Sequence, residues 1–236
     1  MVVRPNREFC DSLDNNCDGR IDDDEDRTEI CGSCPYNMML VVNIHREFGR
    51  RRICVDRYEA SRPDATATAM GEDTAYSRPV AGVIPWHGVS AEEAVAACAG
   101  AEYNAQIPGG VAERRLCVVD EWPVACNIEE YDYPWGDGFV PGRCHDASVG
   151  SLSPAPTGSF PDCDNIVPGG TFPNFDFPGN VAEWVRGEDG ALLAGGSFRD
   201  GDSSALACES VEDFDGEIDN HIGFRCCAAT IAITPR

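Results

Sequence analysis

The sequence predicts a loop-rich fold of short strands and few helices, held together by disulfide bonds. The chain has 236 residues and 13 cysteines, and these are scattered rather than grouped into two facing CxxC pairs of the zinc-binding type. Its second half is interrupted throughout by glycine, proline, aspartate and asparagine, which favour turns. We therefore expect an oxidising location: the periplasm, the cell surface or the outside of the cell. The odd cysteine count leaves at least one thiol unpaired or bonded to another chain.

The charge of the chain excludes some functions. A formal net charge of −23 predicts a surface that repels nucleic acid and anionic lipid and attracts cations. The sequence contains no apolar run of the roughly 18–20 residues that a membrane span needs. We expect neither a nucleic-acid partner nor a membrane span.

The texture of the sequence changes near Cys34. Residues 1–33 are polar and acidic and have almost no apolar periodicity, so they cannot build a core. We predict that residues 1–33 form a small calcium-binding module and that residues 34–236 form the main domain.

The elements of the main domain begin with two strands, at 37–44 and 51–61, followed by a polar loop at 62–79. A helix is predicted over residues 90–101. Ser90 and Glu93 have the spacing of a capping box, and Val95 and Cys98 follow on one face of this helix.

A second, short helix is predicted over residues 120–126, where Pro123 is tolerable only in the first turn. We expect mostly loops with short strands after it. The tryptophans at 86, 122, 135 and 184 are predicted to lie in the core, and the four histidines show no ligand spacing.

The stretch "DNNCDGRIDDDE" has the register of a calcium-binding loop. Such a loop needs oxygen ligands at positions 1, 3, 5, 7, 9 and 12, with glycine at position 6. Counting from Asp14, Gly19 occupies position 6, and Arg20 offers its backbone carbonyl at position 7. The six predicted ligands are Asp14, Asn16, Asp18, Arg20, Asp22 and Glu25.

The alternative is an acidic, solvated segment without a bound ion. It explains the carboxylates but not the register of Gly19, Ile21 and Glu25. A second acidic stretch, "DFDGEIDN" at 213–220, fails the same test because Val211 and Ile222 would occupy positions 1 and 12. The first loop therefore predicts a calcium site.

The segments flanking this loop make poor helices, so it is not a standard EF-hand. It instead resembles the short Cys/Asp repeats described as candidate metal-binding motifs in bacterial surface proteins. The matching residues are Cys10, Asp11, Asp14, Asn15, Cys17, Asp18, Gly19, Ile21 and Asp22. A local Cys10–Cys17 disulfide would brace this loop.

Several segments of the main domain occur in a characteristic order. They are "ICVDRYEAS" (53–61), "RPVAGVIPWHGVSAEEAVAAC" (78–98), "RRLCVVDEWPVAC" (114–126), "YPWGDGF" (133–139), "PTGSFP" (156–161), "GNVAEW" (179–184), "LAGGSF" (193–198) and "GFRCC" (223–227). This order resembles the formylglycine-generating enzyme/sulfatase-modifying factor superfamily over roughly residues 35–230. The resemblance implies an α+β, loop-rich, C-type-lectin-like fold that is stabilised by calcium.

The resemblance also implies a calcium ion beside the "GNVAEW" motif. The corresponding ligands are the side chains of Asp176 and Glu183 and the carbonyls of Gly179 and Val181. Carboxylate and carbonyl oxygens are the ligands that Ca²⁺ prefers. The alternative is a capped turn with a solvated glutamate.

The oxidases of this superfamily bind copper(I) through two cysteines that follow "GGS". In this sequence those positions hold Asp200 and Ala205, and neither replaces a thiolate as a copper(I) ligand. By the same resemblance, Cys208 pairs with Cys126 and Cys98 pairs with Cys226.

The remaining cysteines of the main domain suggest a Cys117–Cys227 and a Cys144–Cys163 pair. The adjacent Cys226 and Cys227 are either a reactive vicinal pair or the ends of two disulfides on opposite faces of one strand, and we favour the second. Pairing among Cys10, Cys17, Cys31, Cys34 and Cys54 stays open, with Cys31 our choice for the odd thiol.

Two functions follow from these features. The first is a non-catalytic, calcium-binding extracellular scaffold or binding module, whose polar loops at 62–78, 140–155 and 199–222 suit a protein or glycan ligand. The second is a divergent copper-dependent oxidase that acts on cysteine or another side chain of a protein substrate. The missing thiolates favour the first, and we predict no catalytic residue.

Overall fold

A computed structural model of the chain describes residues 34, 38–45, 49–100, 113–126, 131–165, 174–214 and 216–229. The acidic loop predicted at residues 14–25 and the predicted Cys10–Cys17 bond lie outside the described residues. The strands are β1 (Met38–His45), β2 (Gly49–Asp56), β3 (Ala60–Ser61), β4 (Arg78–Pro79), β5 (Arg114–Leu116), β6 (Ala182–Arg186), β7 (Ala191–Ala194), β8 (Val211–Asp213), β9 (Ile222–Phe224) and β10 (Cys226–Ala229). The helices are α1 (Ala91–Cys98) and α2 (Glu121–Cys126).

The first sheet has the strand order β1-β2-β10-β5, and all its pairings are antiparallel. The two strands predicted first in the main domain form its β1–β2 hairpin. The second of them ends earlier than predicted, because the backbone bends after Asp56 and resumes as the short strand β3, which pairs with β4. A strand of the extreme C-terminal part thus lies in the middle of this sheet.

The second sheet has the order β8-β7-β6-β9. Strand β6 pairs antiparallel with β7 but parallel with β9, so Glu183 lies opposite Gly223 and Trp184 lies opposite Phe224. The "GNVAEW" and "GFR" motifs, which are distant in sequence, therefore run side by side. Several short sheets and few helices make the described part an α+β fold.

Helix α1 begins with the predicted capping box. Ser90 Oγ accepts from the Glu93 amide at 3.2 Å, and the Glu93 carboxylate accepts from the Ser90 amide at 2.8 Å. The buried face is formed by Ala94, Ala97 and Cys98. The prediction that Val95 shares this face is wrong, since Val95 is 48% exposed. The buried stripe of α1 is narrow, and only the small residues Ala94 and Ala97 lie in it beside Cys98.

Helix α2 confirms the second helix prediction, with Pro123 as its third residue. A proline is tolerated there because the first helical amides have no partner within the helix. The loop predictions need three corrections: β4 forms the end of loop 62–79, a 3₁₀ turn, Ala147–Val149, interrupts loop 140–155, and β8 lies inside loop 199–222. None of the helices in the described residues is long and apolar enough to cross a membrane.

Two apolar cores lie on opposite sides of β10. Cys227 belongs to the core around Trp122, and Cys226 belongs to the core around Trp184. Trp86 is also buried, whereas Trp135 is only half-buried, stacked on Tyr133 at 5.4 Å between ring centroids. Adjacent residues of a strand point to opposite faces, so one strand anchors both cores.

The disulfide framework confirms the four predicted pairs. These are Cys98–Cys226, Cys117–Cys227, Cys126–Cys208 and Cys144–Cys163. The vicinal cysteines are therefore the ends of two disulfides. A fifth bond, Cys34–Cys54, fixes one pairing that the sequence left open.

Candidate functional site

The segment that enters β6 has an unusual backbone. Asp176 and Asn180 adopt positive φ angles of 58° and 53°, and Gly179 has a φ of 83°. A Cβ on Gly179 would lie 2.6 Å from the carbonyl oxygen of His145, so only glycine fits. Left-handed residues other than glycine are uncommon and persist where their surroundings hold them.

The two carboxylates predicted to bind calcium are buried beside this segment. One Asp176 oxygen accepts from the Gly158 amide at 2.6 Å. Glu183 accepts from the indole nitrogen of Trp122 at 2.7 Å and forms a buried ion pair with Arg225 at 2.7 Å. Glu183 is thus tied to protein donors, and a metal ion would have to share its oxygens with them.

A third buried carboxylate, Glu59, lies against the same segment. Its two oxygens accept from the Val181 amide at 3.0 Å and from the side-chain amide of Asn180 at 2.6 Å. The Asn180 oxygen in turn accepts from the Ala155 amide at 2.8 Å and lies 2.9 Å from Nδ1 of His145. This cluster is closed to solvent on the Glu59 side, because Glu59 has no exposed surface.

Arg225 is the cation of this cluster. Its guanidinium lies 3.8 Å from the ring centroid of Phe177, and it donates to the carbonyls of Asp56, Phe175 and Asp176. The nearby Asp56 carboxylate has its own partner, since it pairs with Arg114 at 2.6 Å. Among the described residues, Arg225 is the cation that faces Glu59, Asp176 and Glu183, and the formal charge of the four groups is −2 if all three carboxyls are ionised.

Burial changes the protonation of these carboxyls. Loss of hydration raises the pKa of Asp176 to about 7 and raises the pKa of Glu59 well above its usual value, with the neighbouring carboxylates adding to the shift at Glu59. Burial also raises the pKa of Glu183, although Arg225 and Trp122 oppose that shift. The three carboxyls together carry more negative charge than the one guanidinium balances only when all are ionised, and the raised pKa values favour protonation of Glu59 and Asp176 in the calcium-free protein.

The oxygens near the cluster suit a hard cation. Gly179 and Val181 are buried residues, and among the described residues no loop or side-chain donor is seen to make a hydrogen bond to either carbonyl. Within the same part of the chain, no three His, Cys, Asp or Glu side chains are grouped as a metal site. The predicted set has only two carboxylates, so calcium there would depend on both carbonyls. The residue types and the excess charge fit Ca²⁺, and its binding stays a prediction.

The positions that hold the copper-binding cysteines in the oxidases are occupied here by Asp200 and Ala205. One Asp200 oxygen accepts from the amide and the hydroxyl of Ser197, at 2.8 and 2.9 Å, and closes the turn after "GGSF". Cys208, the nearest cysteine in sequence, is bonded to Cys126. All ten cysteines in the described ranges are in disulfides.

Three residues of the cluster, Glu59, Asn180 and Arg225, were not predicted as functional. A signal for two of them is present in the sequence. Glu59 and Arg225 are charged residues inside strand-like motifs, "ICVDRYEAS" and "GFRCC", where a charge is buried only with a partner.

Comparison with known families assigns this fold to a family. Residues 49–230 match the family described as "Sulfatase-modifying factor enzyme 1-like domain". The chain therefore belongs to this family, which confirms the superfamily named from the sequence motifs. No curated protein matches the chain significantly.

Two solved structures share the fold. One is "Treponema denticola variable protein 1", with 14% identity, a TM-score of 0.50, and coverage of 83% of this chain and 93% of that chain. The other is "Structure of PvdO from Pseudomonas aeruginosa", with 15% identity, a TM-score of 0.50, and coverage of 83% and 92%. At these identities the likeness shows the fold alone. The acidic motif before residue 34 lies outside the family match, and the C-type-lectin-like description stays a prediction.

Proposed function

We propose that this chain is a non-catalytic, calcium-binding module that works in an oxidising compartment, secreted, at the cell surface or in the periplasm, and presents its loops to a protein or glycan ligand. The observation that carries the proposal is the pair of residues at the oxidase thiol positions. Asp200 closes a turn and Ala205 has only a methyl group. Copper(I) requires soft ligands such as thiolates, and these two residues supply none.

Calcium has two places in this proposal. At the "GNVAEW" segment it would be held by Asp176, Glu183 and the carbonyls of Gly179 and Val181, where a dication offsets the excess charge of the buried cluster. In the acidic module it would be held by the six ligands that start at Asp14. In both places the ion supplies structural cross-linking and no chemical step.

Two of the three long loops, 140–155 and 199–222, meet through specific contacts, which supports a binding surface, and the third, 62–78, contacts the segment that follows it. The Ala147 amide donates to the Asp200 carbonyl at 3.0 Å, and the Asn220 side chain donates to the Leu152 carbonyl at 3.2 Å. The His87 amide lies 3.3 Å from the sulfur of Met70. Leu152 is 88% exposed next to these contacts. Exposed loops on a disulfide-braced frame are where binding residues concentrate.

Metal counting tests the calcium half of the proposal. The protein is dialysed against Ca²⁺, and bound metal is measured by elemental analysis. We expect two calcium ions per chain, one after Asp176→Asn, one after Glu25→Gln, and two after the exposed control Asp202→Asn. A wild-type protein without bound calcium, or a count that neither variant lowers, would refute the assignment.

Copper titration tests the non-catalytic half. We expect no stoichiometric Cu(I) binding by the wild type against a competing chelator. The double variant Asp200→Cys/Ala205→Cys restores thiols at both positions and should bind one Cu(I). Tight one-to-one binding by the wild type would favour the copper-oxidase alternative. A free-thiol count gives a second readout, since the proposal expects one thiol at most.

A further inference from the structure

The carboxylate of Glu59 holds the peptide segment that carries two of the four proposed calcium ligands, although Glu59 is not one of them. Its oxygens accept from the Val181 amide at 3.0 Å and from the Asn180 side chain at 2.6 Å. Asn180 and Val181 lie directly after Gly179, and the carbonyls of Gly179 and Val181 are the proposed ligands. The contact therefore falls between the two carbonyls.

Three successive peptide planes are fixed at this place. The Asn180 amide donates to the His145 carbonyl at 2.8 Å, and the Ala182 amide donates to the His221 carbonyl at 2.8 Å. The N–H and C=O of one trans peptide unit point in opposite directions. The carbonyls of Gly179 and Val181 therefore point away from His145 and His221, and Glu59 holds the plane between them.

Glu59 is the acceptor of the Val181 amide, while the Phe198 amide donates to the Asn180 carbonyl at 3.0 Å at the other end of the same peptide plane. The amide of Asn180 cannot reverse its orientation without cost, because its oxygen already accepts from the Ala155 amide. Its nitrogen donates to the fully buried Glu59 at 2.6 Å and more weakly to the Ala155 carbonyl at 3.2 Å. Asn180 also keeps a φ of 53°, a conformation that a non-glycine residue holds only under constraint.

We propose that Glu59 is the positioning residue of the calcium site at "GNVAEW". It holds the plane between Asn180 and Val181 and thereby helps to set the directions of the Gly179 and Val181 carbonyls on either side of it. This role rests on the calcium binding proposed above. Partners that orient metal ligands typically change affinity by about 10- to 100-fold when they are removed.

The test compares calcium affinity in Glu59→Gln and in the parent chain, both carrying Glu25→Gln so that the acidic loop does not contribute. Glutamine keeps the size of glutamate, but its nitrogen would face one of the two donors of residues 180 and 181. We expect a Kd for Ca²⁺ raised about 10- to 100-fold by calorimetry. Terbium luminescence sensitised by Trp122, which lies 2.7 Å from Glu183, is expected to fall in parallel.

A matched control separates positioning from general stability. Glu121 is also a buried carboxylate, and it accepts from the Val118 amide at 2.9 Å and pairs with Arg115 at 2.6 Å. Glu121→Gln should lower the unfolding temperature and leave the Kd for Ca²⁺ unchanged. An unchanged Kd in Glu59→Gln, with calcium still bound by the parent, would overturn the positioning role alone. A parent chain that binds no calcium would overturn the calcium site and this role with it.

A second measurement covers the case in which Glu59→Gln does not fold. Hydrogen exchange of the Val181 amide is followed in the calcium-free wild-type protein. Because a buried carboxylate accepts from this amide, we expect exchange slowed by roughly 100-fold or more relative to an unstructured peptide. Exchange at the rate of an unstructured peptide would overturn the proposal.

Discussion

Asp176 and Asp202 are the same residue type in opposite situations. Asp176 is buried beside two other carboxylates, and burial raises its pKa to about 7. Asp202 lies exposed in the loop after "GGSF", and hydrogen bonds from the backbone and hydroxyl of Ser204 hold its pKa below the usual value. When fully ionised, the first region has negative charge that its own side chains do not balance, whereas the Asp202 carboxylate is satisfied by local hydrogen bonds.

This difference indicates which region of an acidic protein a bound cation would stabilise. Net charge alone does not locate a metal site, because exposed carboxylates are screened and capped by nearby amides. The region with the buried carboxylates is the one in which the proposed calcium ion would change the free energy of folding. Each of the following predictions contrasts these two regions.

The largest expected effect comes from removing the buried cation. Arg225→Met leaves Glu59, Asp176 and Glu183 without a counter-charge, and breaking a buried ion pair typically costs about 3–5 kcal/mol. The matched variant Arg199→Met removes an exposed pair with Asp219 and should cost less than about 1 kcal/mol. Urea unfolding of both variants gives the two free energies. Similar losses would contradict the contrast between buried and exposed pairs.

The next effect comes from the disulfide that braces the buried region. Cys144–Cys163 closes a loop with a sequence separation of 19, and removing it as Cys144→Ser/Cys163→Ser should cost about 3 kcal/mol. It should also weaken calcium binding, because the Asp176 amide donates to the Cys163 carbonyl at 3.3 Å.

The control for this prediction is Cys126→Ser/Cys208→Ser, which frees the exposed loop. This variant should also unfold at lower urea, while its calcium Kd stays that of the wild type. Calorimetry on both double variants decides the question. A calcium Kd that changes equally in both would mean that the disulfides act only through global stability.

We expect the stability of the calcium-free protein to depend on pH, with an effect slightly smaller than that of removing the disulfide. The folded pKa of Asp176, about 7, exceeds its unfolded value of about 3.9, so the folded state binds the proton more tightly. This contribution is complete below about pH 4 and is lost as the pH rises through about 7. Between pH 5 and pH 8 we expect a loss of roughly 2–3 kcal/mol.

Urea unfolding at the two pH values measures this loss, and Asp176→Asn should reduce it. Adding Ca²⁺ at pH 8 should restore stability, by about 2.7 kcal/mol at a concentration of 100 times the Kd. A calcium-free protein that is equally stable at both pH values would show that Asp176 titrates normally.

The smallest expected effect is on the exposed side. Asp202→Ala removes the hydrogen bonds from Ser204 at 2.9 Å, and we expect a loss of about 0.5–1 kcal/mol without a change in calcium affinity. Ser204→Ala, which removes only the hydroxyl donor, should cost less. A change in the calcium Kd of either variant would link this loop to the buried site.

Much of the fold could be predicted from local sequence patterns. The two strands around residue 46 and the capping box at Ser90 follow from residues close in sequence, and both form. The burial of α1 was partly wrong at Val95, because the covered stripe depends on the packed sheet. The Cys34–Cys54 bond was open because it depends on where the chain enters β1, which the spacing of 20 does not determine.

Only part of the candidate site could be predicted from the sequence, because the rest depends on contacts between distant segments. Asp176 and Glu183 were located by one contiguous motif. Arg225 reaches Glu183 across 42 residues, through the parallel pairing of β6 with β9, and Glu59 reaches Val181 across 122 residues. Such partners depend on topology, which a local pattern does not contain. Neither Arg225 nor Glu59 belongs to the set of calcium ligands that the family resemblance implies.

The disulfides of β10 have a consequence for the covalent connectivity of the chain. Cys98–Cys226 encloses two of the other bonds, Cys126–Cys208 and Cys144–Cys163, and a single proteolytic cut anywhere between residues 98 and 226 leaves two fragments joined. On a non-reducing gel the nicked chain would migrate as one piece. A cut in the loop at 62–78 is different, because no described disulfide links residues before it to residues after it. Backbone cleavage in that loop would cut the covalent link between the β1–β2 hairpin and the rest of the described chain. The hairpin would then stay attached only through non-covalent contacts, such as its pairing with β10 and the Asp56–Arg114 ion pair.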